Sequence, residues 1–97
     1  MHERYRSRSA KQALGHVIEE MGEALAAAGK TMRWGPRSSN PELPFEQREI
    51  NMAWLLRELK DVENAITAFR ELVDQGPVDA IRIWQLQVDS ELKERHQ

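Results

Sequence analysis

The sequence predicts an all-α fold, a small antiparallel bundle of two long helices and a C-terminal helix that oligomerisation completes. Two long stretches carry apolar residues at three- and four-residue steps, which is the period of one helix face. Of the 97 residues, 40% are hydrophobic and 31% are charged, a balance that suits thin amphipathic helices better than a sheet sandwich. A chain this short is expected to form one domain, residues 1–97, with burial completed by a second copy.

The first helix is predicted from Ser9 to about Lys30, with Ser9 as its N-cap and Gly29 near its end. Its apolar stripe consists of Leu14, Val17, Ile18, Met21, Leu25 and Ala28. Gly15 and Gly22 lie inside this helix, where each costs about 1 kcal/mol relative to alanine. They therefore indicate close approach by a neighbouring backbone or a ligand.

A loop is predicted from Thr31 to Pro44, because its three prolines interrupt any regular helix. Loops of this length in compact domains are more often lids or binding segments than spacers. We therefore expect this loop to be mobile without ligand and to close over a bound one.

The second helix is predicted from Phe45 to about Gln75. Its apolar residues are Met52, Leu55, Leu56, Leu59, Val62, Ile66, Phe69 and Val73. A stripe this broad indicates contact with more than one neighbour, which favours a homodimer or a dimer of dimers.

A third helix is predicted from Val78 to about Arg95. Residues 84–88 alternate as in a strand, but a lone strand would find no partner in this chain.

Composition excludes several kinds of protein. The chain has no cysteine, so any metal must be held by oxygen or imidazole ligands. No apolar run approaches the roughly 20 residues of a membrane span, and no signal-type segment follows the polar N-terminus, so we expect a cytoplasmic protein without a membrane partner. The net charge of -2 does not favour nucleic-acid binding. Basic residues 4, 6 and 8 lie in a predicted flexible arm, residues 1–8.

Two acidic motifs lie on the two long helices. Residues 19–23 form an E-E-x-x-E pattern, and residues 58–61 form E-x-x-D. Glu20 and Glu23 share a helix face, as do Glu58 and Asp61, and both pairs flank the apolar stripes that are expected to pack. Four carboxylates brought together repel one another unless cations neutralise them, and oxygen ligands suit magnesium or manganese. Either motif alone arises easily on a solvated helix face, but the two together fit a metal site between antiparallel helices.

At these motifs the sequence resembles the MazG-like and dimeric dUTPase-like all-α nucleotide pyrophosphohydrolases, whose signature is E-E-x-x-E followed by E-x-x-D on a later helix. The resemblance covers roughly His16 to Phe69, and the separation between the motifs is longer here because of the proline-rich loop. It implies a magnesium site, with manganese as a substitute, whose ligands are Glu20, Glu23, Glu58 and Asp61. It also implies that Glu19 is a ligand or orients water as the catalytic carboxylate.

The activity that the resemblance implies is hydrolysis of a nucleoside triphosphate to the monophosphate and pyrophosphate by attack of metal-activated water. A covalent protein intermediate is not required. The chain agrees, because it has neither cysteine nor a G-x-S-x-G nucleophile motif.

Further candidates lie near the end of the first helix. Lys30 and Arg33 are candidates for pairing with phosphate, and Trp34 for stacking on a base, although a cationic last turn and a core tryptophan explain them equally well. His16 is more simply a polar edge residue than a ligand. Trp54 and Trp84 are expected to pack in the core or at a subunit interface.

Two other functions compete with the hydrolase. The first is a catalytically silent interaction or regulatory module that keeps the same scaffold, which turnover assays would distinguish. The second is a small nucleic-acid-binding protein that uses the basic arm, against which the negative net charge and the acidic helix faces count.

Overall fold

The computed structural model describes residues 9–75 and 79–95 of the chain. This part contains three α-helices and one 3-10 turn: α1 (Ala10–Trp34), the turn (Phe45–Gln47), α2 (Asn51–Gln75) and α3 (Ala80–Arg95). It contains no strand, so the predicted all-α class is confirmed. The basic arm predicted at residues 1–8 lies outside the described residues. No helix in the described part is long and apolar enough to cross a bilayer.

Helix α1 begins as predicted but ends later. The hydroxyl of Ser9 accepts a hydrogen bond from the backbone N–H of Gln12 at 3.1 Å, which confirms Ser9 as the N-cap. The helix runs through Gly29 and stops only at Gly35, whose φ of 95° lies in the left-handed region that favours glycine. The N–H of Gly35 donates to the carbonyl of Thr31 at 2.8 Å. The loop therefore starts at Gly35 instead of Thr31.

Helix α2 begins at Asn51 instead of Phe45, because the intervening residues form a separate turn and an extended segment. Asn51 is buried and fixes the loop to the start of α2. Its backbone N–H donates to the carbonyl of Ser38 at 2.7 Å. Its side-chain amide donates to the carbonyl of Gly35 at 3.1 Å. One side chain thus satisfies a carbonyl at the end of α1 that no helical N–H reaches.

The helices α1 and α2 form an antiparallel pair. At one end the hydroxyl of Thr31 lies 3.4 Å from the carbonyl oxygen of Asn51, and further along the pair Glu20 meets Glu58. Helix α3 makes few contacts with either. The radius of gyration, 18.1 Å, exceeds the roughly 13 Å expected for a compact domain of this length. Packing within one chain is therefore concentrated between α1 and α2.

The interface between α1 and α2 is built from small side chains. The buried apolar residues are Ala10, Ala13, Val17, Ala24, Ala27 and Ala65. Among the described residues, no large side chain is fully buried. Ile18, Met21 and Leu25 of the predicted stripe are exposed, so the prediction that they form the packing face of α1 is wrong. The alanine-rich face of α1 is buried instead, since small side chains fill little space between packed helices.

The glycines inside α1 are also placed differently from the expectation. Gly15, Gly22 and Gly29 are exposed, and a Cβ added to any of them would meet no described atom within 4 Å. The expectation that a neighbouring backbone of the same chain approaches them is therefore wrong. These glycines therefore lower the intrinsic helix propensity of α1, and no packing contact within the described part of the chain compensates for that loss.

Candidate metal centre and adjoining pocket

Three carboxylates from two helices meet at the centre of the helix pair. Glu20 comes from α1, and Glu58 and Asp61 come from α2. Each offers one oxygen atom, and these three oxygens lie within 4.8 Å of one another. Glu58 and Asp61 reach the same point because residues three apart share a helix face. The antiparallel packing then places Glu20 opposite them.

Two of these carboxylates are buried. The solvent-exposed fraction is 6% for Glu58 and 9% for Glu20. The Oε2 atom of each is buried without a hydrogen-bond partner. A buried carboxylate oxygen that accepts no hydrogen bond costs free energy, and a bound cation is one way in which proteins satisfy it. The oxygen-only donor set fits a hard divalent cation such as magnesium.

The other oxygens of these two carboxylates have protein neighbours that orient them. Oε1 of Glu58 accepts a hydrogen bond from the indole N–H of Trp54 at 3.1 Å and another from Arg57 at 3.2 Å. Oε1 of Glu20 lies 3.6 Å from Nε2 of His16, which is buried. Glu58 is therefore oriented by two hydrogen bonds to one oxygen, whereas Glu20 has His16 at ion-pair distance only.

Glu23 and Glu19 lie at the edge of the cluster. Both are exposed, and neither belongs to the group of three carboxylates. The negative charge of Glu20 raises the pKa of Glu23, and desolvation and the charges of Glu58 and Glu19 raise it further. Glu23 is therefore close enough to the cluster for its carboxylate to feel the negative charges there.

A pocket of about 780 Å³ lies between the end of α1, the loop and the start of α2. Its lining residues include Lys30, Trp34, Ser38, Asn40, Trp54 and Arg57. The Nζ atom of Lys30 lies 5.6 Å from the centre of the Trp54 ring, a cation–π distance. Because Trp54 and Arg57 also donate hydrogen bonds to Glu58, the pocket adjoins the acidic cluster.

Of the three predicted substrate-binding residues, two line this pocket and one does not. Lys30 and Trp34 are part of the lining, whereas Arg33 is not. The guanidinium of Arg33 instead lies over the ring of Trp34, at 5.3 Å from its centre.

Arg57 links the loop to the acidic cluster. Its guanidinium donates to Glu49 at 3.0 Å as well as to Glu58 at 3.2 Å. The hydrogen bond to Glu49 is the main cause of the raised pKa of Arg57, so this side chain stays charged at any physiological pH. A permanent positive charge beside a pocket and a carboxylate cluster suits a phosphate-bearing ligand.

Three residues of this region were not predicted from the sequence as parts of a site. They are Asn51, Trp54 and Arg57. Trp54 and Arg57 precede Glu58 by four and one positions, so their spacing to a predicted ligand was the available signal. Asn51 offered no such signal, because its role depends on where the loop crosses the start of α2.

Comparison of the chain with protein-family models, with curated proteins and with solved structures finds no match.

Proposed function

We propose that this protein is a magnesium-dependent nucleoside triphosphate pyrophosphohydrolase. The observation that carries the proposal is the pair of buried Oε2 atoms, one on Glu20 and one on Glu58, that accept no hydrogen bond. They lie in a group of three carboxylates. If the cluster served only to stabilise the fold, we would expect these buried oxygens to accept hydrogen bonds from protein N–H or O–H groups.

The acidic group supplies the cation site. Glu20, Glu58 and Asp61 would hold magnesium. Glu23, at the edge of the group, is the fourth proposed ligand. When bound, magnesium neutralises charge on phosphate oxygens and lowers the pKa of water. The hydrogen bonds from Trp54 and Arg57 fix the orientation of Glu58, so its free oxygen is held ready for the cation.

The pocket supplies the substrate site. Its volume of about 780 Å³ lies within the range of small-molecule sites. Lys30 and Arg57 are the cations that face a triphosphate, and the rings of Trp34 and Trp54 are the surfaces on which a base stacks. Glu19, one position before a proposed ligand, is the proposed acceptor of the proton that the attacking water loses.

Turnover tests the proposal directly. The protein is incubated with a panel of nucleoside triphosphates with and without magnesium, and pyrophosphate release is measured as phosphate after addition of a pyrophosphatase. We expect release that requires magnesium and that Glu58→Gln abolishes, while the exposed control Glu91→Gln retains it. Magnesium binding without turnover on any nucleotide would favour the catalytically silent module instead.

A further inference from the structure

Helix α1 carries a second regular pattern, distinct from its alanine-rich face. Three glycines recur at seven-residue steps, and three large apolar residues recur at the same step. The two series alternate at three and four residues, which is the a and d spacing of a coiled-coil seam. We call these six residues the α1 seam: Gly15, Ile18, Gly22, Leu25, Gly29 and Met32.

The α1 seam is exposed in the described part of the chain. Ile18, Leu25 and Met32 are 62%, 74% and 90% exposed, and a Cβ at any of the three glycines would meet nothing within 4 Å. Exposed apolar side chains repeated along a helix mark an interaction surface. The glycines between them leave recesses at regular intervals along this surface.

The α1 seam is complementary to itself when one copy is reversed. Two copies related by a two-fold axis between residues 23 and 24 place every large side chain opposite a glycine. The facing pairs are Gly15 with Met32, Ile18 with Gly29 and Gly22 with Leu25, each occurring twice by symmetry. Such an interface is isologous, since residue i meets j and j meets i. The seam spans roughly 26 Å at 1.5 Å per residue.

The residues beside the α1 seam obey the same symmetry. One flank carries residues 19, 26 and 33, whose only charged members are Glu19 and Arg33, so the reversed copy brings Glu19 of each chain to the same flank as Arg33 of the other. The other flank carries Leu14, Met21 and Ala28, which are all apolar. The flanks therefore combine two opposite-charge pairs with apolar contacts, and they bring no like charges together.

We infer that the α1 seam is the interface of a homodimer, in which two α1 helices pack antiparallel with large residues seated over glycines. A second copy is the partner that the register favours, because a reversed copy places every large seam residue opposite a glycine and brings Glu19 to the flank of Arg33. The inference gives the three glycines a packing role that the single chain does not provide. It shares Glu19 with the proposed catalytic function, but its tests measure mass and cross-linking and not turnover, so either can fail without the other.

Substitution of a seam glycine tests the interface. Gly22→Leu fills the recess opposite Leu25 of the second copy, a Cβ at this position meets no described atom of its own chain within 4 Å, and leucine favours helix more than glycine does. We expect light scattering to give twice the chain mass of 11.3 kDa for the wild type and a mass halved by Gly22→Leu at equal concentration. Unchanged helicity by circular dichroism shows that the fold is retained. The exposed Ser90→Leu on α3 is the control and should leave the mass unchanged.

The register has a second, independent test. Because the chain has no cysteine, a single Ala26→Cys variant carries one thiol, which the two-fold axis places near its counterpart. We expect a short bifunctional maleimide to join this variant into a covalent dimer, while Glu91→Cys on α3 stays mostly unlinked. A monomeric wild type, or a dimer that Gly22→Leu leaves intact and Ala26→Cys does not cross-link, would overturn the inference.

Discussion

Trp54 donates its indole N–H to the carboxylate of Glu58 at 3.1 Å, so one hydrogen bond joins the wall of the pocket to the acidic cluster. This contact predicts that Trp54 acts on the proposed metal site as well as on the proposed substrate site. Trp54→Phe keeps an aromatic ring but removes the donor, and loss of such an orienting hydrogen bond typically weakens metal affinity about tenfold or more. Titration calorimetry with magnesium measures the change, and Trp84→Phe on α3 is the control. Equal affinities for Trp54→Phe and the wild type would show that the hydrogen bond does not orient a ligand.

Arg57 is expected to affect the metal and the substrate in opposite directions. Its positive charge lies 3.2 Å from Glu58, so Arg57→Gln, which keeps a side-chain N–H donor but removes the charge, leaves the cluster more negative and should strengthen magnesium binding. The same change should raise the Kd for a non-hydrolysable triphosphate about tenfold, which corresponds to about 1.4 kcal/mol, near the lower end for a hydrogen bond to a charged group. Arg70→Gln, exposed on the same helix, is the control. A parallel loss of both affinities would mean that Arg57 only holds the structure.

The raised pKa of Glu23 predicts how the stability of the metal-free protein depends on pH. The charge of Glu20 and the other causes raise the pKa of Glu23 in the folded state, so the folded protein binds this proton more readily than the unfolded chain does. The resulting stabilisation is present below the ordinary glutamate pKa and is lost as pH rises through the raised value. In EDTA, Glu23→Gln should therefore raise the melting temperature relative to wild type at pH 7, with the gain shrinking toward pH 4. A gain of equal size at both pH values would contradict the electrostatic explanation.

The loop after α1 is predicted to close over bound nucleotide. Its ends are fixed, because Asn51 binds Gly35 and Arg48 donates to the carbonyls of Leu43 and Pro41, each at 2.9 Å. The carbonyls of Pro36 and Ser38 also accept hydrogen bonds from the backbone N–H groups of Met52 and Asn51, so closure would be a movement of the part of the loop after Ser38 against the pocket. In a variant whose only tryptophan is Trp34, saturating nucleotide and magnesium should change the fluorescence and slow amide exchange in the loop. No change in either signal would rule out a lid.

The sequence was sufficient to predict the three helices, though not all of their ends, and to place Glu58 beside Asp61. Residues at i and i+3 share a helix face whatever else the helix contacts, so Glu58 and Asp61 were predictable as neighbours. The cap at Ser9 was predictable for the same reason, because its hydrogen bond to Gln12 is local.

The faces of α1 were not predictable from hydropathy. The hydropathy pattern selects the largest apolar residues, such as Ile18 and Leu25, but two helices that approach closely pack through alanines. The pocket depends on contacts across the chain, above all those of Asn51 and Arg57 with the loop. Such contacts are fixed by tertiary packing and leave no periodic signal in the sequence.

The central claim is that Glu20, Glu23, Glu58 and Asp61 form one magnesium site. Glutamine is close in size to glutamate but lacks its charge, so Glu20→Gln and Glu58→Gln should preserve the helical fold and lose magnesium affinity. Glu46→Gln and Glu91→Gln remove the same charge from exposed positions outside the cluster and serve as controls.

Titration calorimetry of these four variants and the wild type with magnesium tests the claim most directly. We predict that the wild type and both controls bind magnesium with similar affinity, and that Glu20→Gln and Glu58→Gln bind it at least tenfold more weakly or not at all. Magnesium binding to the Glu20 and Glu58 variants as tight as that to the wild type would contradict the claim.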